Sequence, residues 1–224
     1  ILMRENNVTA AVTEFERTLA ITPKHAQALN NLGVAWDAMA DTKKALEYFK
    51  KASQADPTFT EAFFNQGMSL MKLNKPAEAT KAFEAALKLE PSSTAPYVQL
   101  GTLYLKQGKK DRAVEAFKKA IELADAQDKA DSGFKALLKR NEMRRNTDAY
   151  RGLALAYLQL GKVDDAVNTL KLATDKMPKD ASARLALGEA YLAQNNADGA
   201  VEQFQKRLEL EPDTEARLDL ARAY

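Results

Sequence analysis

Residues 26–59, AQALNNLGVAWDAMADTKKALEYFKKASQADPTF, run directly into residues 60–93, TEAFFNQGMSLMKLNKPAEATKAFEAALKLEPSS, and the two segments are copies of one 34-residue unit. Gly33 and Gly67 lie 34 positions apart, as do Ala45 and Ala79, Phe49 and Phe83, Ala52 and Ala86, and Pro57 and Pro91. A fixed period of this length marks a stack of supersecondary units, none of which can bury its apolar face without a neighbour. Within the unit, Leu29, Leu32, Gly33 and Trp36 share one helical face, and Ala45, Leu46, Phe49 and Ala52 share another, because they recur at spacings of three and four. Asp41-Thr42 interrupts the pattern between the two faces and Asp56-Pro57 ends it. Each unit is therefore predicted to be a helical hairpin, here called helix A and helix B. Gly and Ala stand where backbones must approach, and Trp36, Phe49, Tyr104 and Phe117 fill the holes between hairpins.

The period extends in both directions. Ala11, Phe15 and Pro23 precede Ala45, Phe49 and Pro57 by 34, so residues 1–25 read as the second half of a unit. A third copy occupies 94–127 but carries Asp125 where the others carry Pro. Pro91 and Pro178 are 87 residues apart, two periods plus 19, and the surplus falls at 128–146. Without the Pro stop, the helix carrying Phe117 and Ile121 is expected to run past Leu123 toward Asp131. Ser132-Gly133 would break it, and Phe134, Leu137 and Leu138 would form a short amphipathic helix. Two further copies occupy 147–180 and 181–214, and residues 215–224 begin another unit or cap the array. The domain plan is thus a partial repeat at 1–25, three repeats at 26–127, a basic helical insert at 128–146, two repeats at 147–214 and a last helix.

Composition narrows the function classes. Charged residues at 29% and apolar ones at 46% suit a packed, soluble chain. The net charge of +2 gives no global field for holding nucleic acid or an anionic membrane, and no nucleic-acid partner is expected. With no cysteine there are no disulfides, thiol nucleophiles or thiolate metal sites. No apolar run approaches the ~18 residues that would span a bilayer. The chain opens on Ile1 rather than Met, which reads as the soluble part of something longer and leaves localisation open between cytoplasm and periplasm.

The spacing resembles the tetratricopeptide repeat family, whose pattern places a bulky residue, Leu-Gly, Tyr, Ala, Phe, Ala and Pro at fixed offsets. In 26–59 those offsets hold Leu29, Leu32-Gly33, Trp36, Ala45, Phe49, Ala52 and Pro57, with Trp in place of Tyr. Later copies depart at Gln66, Leu70, Ala154, Leu170, Arg184 and Arg207. The resemblance covers all but the insert and implies an all-α, right-handed superhelical solenoid of antiparallel helix pairs.

Catalytic constellations are nearly absent. His25 is the single histidine, so neither a Ser-His pair nor a two-His metal site can be assembled, and it reads as a solvated turn residue. Gly108-Lys109 and Gly161-Lys162 lack the remaining phosphate-loop residues and fall at turns between helices A and B, where they read as left-handed turn glycines. Asp164-Asp165 opens a helix, where carboxylates favour the dipole and cap free amides. No enzymatic activity, cofactor or metal is expected.

A binding role is expected instead. The resemblance implies that helix A lines an inner groove, and its inner positions hold Asn30, Asn31 and Asp37, then Phe64, Asn65, Met68, Met71 and Lys72, then Gln99, Thr102, Leu105 and Lys106. Amides at Asn30, Asn31, Asn65 and Gln99 suit an extended peptide backbone, and Phe64, Met68, Met71 and Leu105 suit adaptable apolar contact. Packing is the alternative for the Met and Phe residues, but their spacing at 64, 68 and 71, apart from the packing set at 63, 67 and 70, favours the groove. Places that clamp a terminal carboxylate in chaperone-binding relatives hold Asn30, Val34, Asn65, Ala95 and Gln99, of which Asn65 alone fits. The insert adds a basic patch of Lys139, Arg140, Arg144 and Arg145, continued by Arg151, which would suit an acidic segment or lipid headgroup, but a solvated helix face is the favoured explanation, as for most charge runs. The sequence thus favours an adaptor for a protein or peptide ligand. A homo-oligomeric scaffold, joined through end residues such as Leu218, Leu220 and Ala221, is the alternative, and a substrate-holding module of an anchored protein is a weaker third.

Overall fold

The computed structural model describes residues 8–130 and 140–224, with side chains described over 8–127 and 147–224. The described residues form twelve α-helices and no strand. They are α1 (Val8–Ile21), α2 (Ala26–Ala38), α3 (Thr42–Ala55), α4 (Thr60–Lys72), α5 (Pro76–Leu89), α6 (Thr94–Lys106), α7 (Lys110–Ala130), α8 (Arg140–Gln159), α9 (Val163–Lys176), α10 (Ala181–Ala193), α11 (Ala197–Leu210) and α12 (Thr214–Ala223). The even-numbered helices up to α10 are the A helices and the odd-numbered ones the B helices of the predicted hairpins. The fold class is all-α, as the 34-residue period predicts.

Helix lengths follow the sequence signals. A helices α2, α4, α6 and α10 have 13 residues, and B helices α3, α5, α9 and α11 have 14. Beside the insert, α7 extends to 21 residues and α8 to 20, since neither side carries the proline that stops the other units. The amphipathic helix expected around Phe134, Leu137 and Leu138 lies outside the described residues.

Each A-to-B turn closes in the same way. The residue at unit position 15 takes a left-handed backbone in all five copies: Ala40 (φ 62°), Asn74 (55°), Gly108 (71°), Gly161 (74°) and Asn195 (59°). The next residue's N–H returns to a carbonyl five residues back, as in Asp41 to Trp36 at 3.0 Å and Lys75 to Leu70 at 2.9 Å. Several helices then begin on a side-chain cap: Asp41 accepts from the Lys44 N–H, Asp180 from Ala183 and Asn196 from Gly199, each at 3.0 Å. His25 is exposed, as expected, and has a defined task, its Nδ1 accepting from the Ala28 N–H at 3.2 Å. Asp164 and Asp165 stand in the first turn of α9, as expected, but their capping role is corrected: the N-cap, Lys162, makes no side-chain cap, and the Asp164 carboxylate accepts from the Gln194 amide at 2.6 Å.

The hairpins are locked by a ring on a glycine. A Cβ built on Gly33 would lie 2.6 Å from Phe49, on Gly67 2.5 Å from Phe83, on Gly101 2.7 Å from Phe117 and on Gly188 2.3 Å from Phe204. These rings are buried, so the missing Cβ is what allows helices A and B to close on each other. In the fourth hairpin Ala154 replaces the glycine and Leu170 the ring, and both are buried. Phe117 also faces Gly152, where a Cβ would come within 2.3 Å.

Departures from the pattern are satisfied locally. Gln66, at a position usually Leu, is buried and donates to the Ser53 hydroxyl at 2.7 Å and the Phe49 carbonyl at 3.3 Å. Arg207, at a position usually Ala, is buried and pairs with Asp219 at 2.8 Å and Asp213 at 3.7 Å. Leu220 packs against the core around Phe204 in α11, whereas Leu218 is left open at 54% exposure.

The chain divides into two compact units, residues 1–96 and 97–224. In the first, α2 packs on α3, α3 on α4 and α4 on α5; in the second, α7 packs on α8, α8 on α9, α9 on α10 and α10 on α11.

Candidate binding faces on the A helices

In the first unit the inner residues of α2 and α4 bond to each other. Asn30 is fully buried, accepting from the Asn65 amide at 3.0 Å and donating to Glu61 at 3.2 Å. Lys72 donates to both oxygens of Asp37, at 2.8 and 2.7 Å. Four of the polar side chains expected to meet a ligand therefore tie neighbouring A helices together. For Asn30 this is a correction, since with no exposed surface it cannot reach a peptide. A buried amide needs partners, and the periodic repeat supplies one 35 positions on. Asn31 accepts from Gln27 at 3.1 Å. Phe64 is half-buried, its ring centroid 5.6 Å from that of Phe83, which is packing. Met68 and Met71 stay half-exposed on the same face of α4.

In the second unit the A helices border a cleft of about 340 Å³. Gln99 and Thr102 of α6 and Arg151 of α8 all line it, so two predicted groove residues meet one residue of the predicted basic patch. Leu105 and Lys106 do not line it. Lys139, Arg140, Arg144 and Arg145 fall outside the described side chains. Leu155 and Leu158 line the α8 side and Glu189 the α10 side. Leu155 is 49% exposed although apolar.

The charges around the cleft are unevenly matched. Arg151 approaches Asp148 at 4.0 Å, Arg222 approaches Asp219 at 3.6 Å, and Arg207 holds Asp219 and Asp213. Glu189 has no ion pair or hydrogen bond among the described residues. Partial burial, and then the negative charge of Asp219, push its carboxyl above the usual range, against the pull of Arg151, Arg207 and Arg222. Leu155 and Glu189 both occupy unit position 9, the place of Val34, Met68 and Thr102 in earlier copies, so the positional rule extended past the insert finds them. The nearness of Asp219, contributed by the following unit, has no such local signal. No cluster of metal-ligating side chains occurs among the described residues, and none of their helices is long and apolar enough to cross a membrane.

Tandem helical hairpins with a glycine-ring lock and a left-handed turn at position 15 define a helical-repeat protein. The tetratricopeptide repeat family model matches residues 1–58, 64–132, 128–178, 154–213 and 185–224, and the chain belongs to that family. Among solved structures it is similar to PilW, described as a widely conserved type IV pilus biogenesis factor, with a TM-score of 0.75, 24% identity and coverage of 98% of this chain and 92% of that one. It is also similar to YrrB, described as a tetratricopeptide repeat protein with an unusual peptide-binding site (TM-score 0.64, 21% identity, coverage 93% and 97%). A third is MamA from Desulfovibrio magneticus RS-1 (TM-score 0.65, 22% identity, coverage 85% and 97%). Curated proteins provide no match.

Proposed function

We propose that the chain is a non-enzymatic adaptor that holds a peptide or helix of a partner protein against its A-helix faces. Folds of this family generally serve protein interaction, and the observation that carries the reading here is Leu155, half-exposed in a cleft bordered by three A helices. An aliphatic side chain left in solvent gains from being covered, by about 25 cal/mol per Å² of apolar surface removed from water. Met68 and Met71 offer a second, adaptable apolar surface in the first unit. A contact spanning three repeats would bury on the order of 1,000 Å² and suit transient, roughly micromolar recognition.

The test is affinity capture from lysate of the source organism with wild type, Met68→Glu plus Met71→Glu, and Leu155→Glu, read by mass spectrometry. Partners lost from one or both variants, with helical circular dichroism unchanged, are the expected result. Identical captures by all three folded baits would overturn the reading. Self-assembly is the second reading, favoured by the open Leu218 on α12.

A further inference from the structure

We infer that the cleft of the second unit selects a partner segment in which an aliphatic side chain stands next to a lysine or arginine. This rests on the adaptor reading and specifies the chemistry of its ligand. The aliphatic half follows from Leu155 and Leu158, which give the cleft an apolar wall that solvent reaches. The cationic half follows from the charges. Arg207 is held by Asp219 and Asp213, and Arg222 and Arg151 each have a carboxylate within 4.0 Å. Among the described residues, Glu189 is the charged residue lining the cleft that makes no ion pair, and it is partly desolvated with a second carboxylate nearby.

An anionic segment would add repulsion to that arrangement, and a purely apolar one would cover Glu189 and leave its charge buried without a partner. A lysine or arginine brought in beside the apolar contact supplies the missing charge and compensates the desolvation. The upward displacement of the Glu189 carboxyl agrees with this, since it records how poorly the free protein accommodates the ionised form. The net charge of the chain is +2, so attraction of a cationic peptide would be local to such a site.

Fluorescence anisotropy on the full chain tests this with three labelled peptides: one with a Leu-Lys-Leu-Lys core, one with Leu-Glu-Leu-Glu and one with Ser-Lys-Ser-Lys. The Leu-Lys peptide is expected to bind saturably and the other two much more weakly. Glu189→Gln should weaken the Leu-Lys complex roughly three- to ten-fold. Glu189→Lys should shift preference toward the Leu-Glu peptide, a gain that misfolding cannot imitate. The inference is overturned if the Leu-Lys peptide fails to bind at about 1 mM, or if affinity ignores the charge at residue 189. In that second case an affinity that still falls in Leu155→Glu leaves the adaptor reading standing.

Discussion

Ala40 stands alone at position 15 in placing a residue other than Gly or Asn in the left-handed turn conformation, at φ 62°. A Cβ there crowds the following carbonyl, at a cost of about 1–2 kcal/mol, which glycine avoids. Glycine also gives the unfolded chain more freedom, so the net gain is smaller. Ala40→Gly is expected to stabilise the protein by roughly 0.5–1 kcal/mol, with Gly108→Ala as the mirror experiment and a loss of similar size. Urea unfolding at constant m-value measures both, and a destabilising Ala40→Gly would show that the turn is not strained. At this scale the sequence was legible wherever glycine marked the turn, as at Gly108 and Gly161. It was silent at Ala40, because an alanine in a left-handed turn is dictated by the hairpin around it.

Between elements the glycine-ring lock makes a sharper claim, because one hairpin already shows the exchange. Gly67 and Phe83 occupy the places that Ala154 and Leu170 hold in the fourth hairpin. Gly67→Ala alone drives a Cβ toward a fully buried ring and should cost about 1–3 kcal/mol by overpacking. Phe83→Leu alone removes ring volume and leaves a void of comparable cost. Together they recreate the Ala-Leu pair, so the double variant is expected to be at least about 1 kcal/mol more stable than additivity allows. A strictly additive cycle would mean that the pairing of small with ring and slightly larger with aliphatic is incidental. Cations over aromatic faces show a related pairing. Lys44 lies over Trp36 and Arg112 over Tyr104 within one hairpin, and Lys171 lies over Tyr191 of the next. The hairpins were legible because every copy repeats the same packing set. The bonds that join A helices, such as Asn30 to Asn65, were not, since amides at inner positions read equally as ligand contacts until their burial is known.

Across the whole molecule, the sequence reading expected binding on the A helices and placed its weight on the first three repeats, where polar side chains of α2 and α4 are already bonded to each other. The second unit carries the open leucine and the unmatched carboxylate, and the insert separates these residues from the copies in which the pattern is most regular. Adaptor and self-assembly then diverge in solution state. An adaptor exposes apolar residues for a foreign segment, whereas a scaffold joined through α12 would bury Leu218 in a second copy. Light scattering coupled to size exclusion is expected to give the monomer mass, unchanged over a hundredfold range of about 1–100 μM, where a micromolar self-association would be visible. Leu218→Glu should leave that mass and the Leu-Lys peptide affinity as they are. A mass that rises with concentration in the wild type and stays monomeric in Leu218→Glu would move the function from holding a partner to building an assembly, with the cleft at Leu155 as a secondary feature.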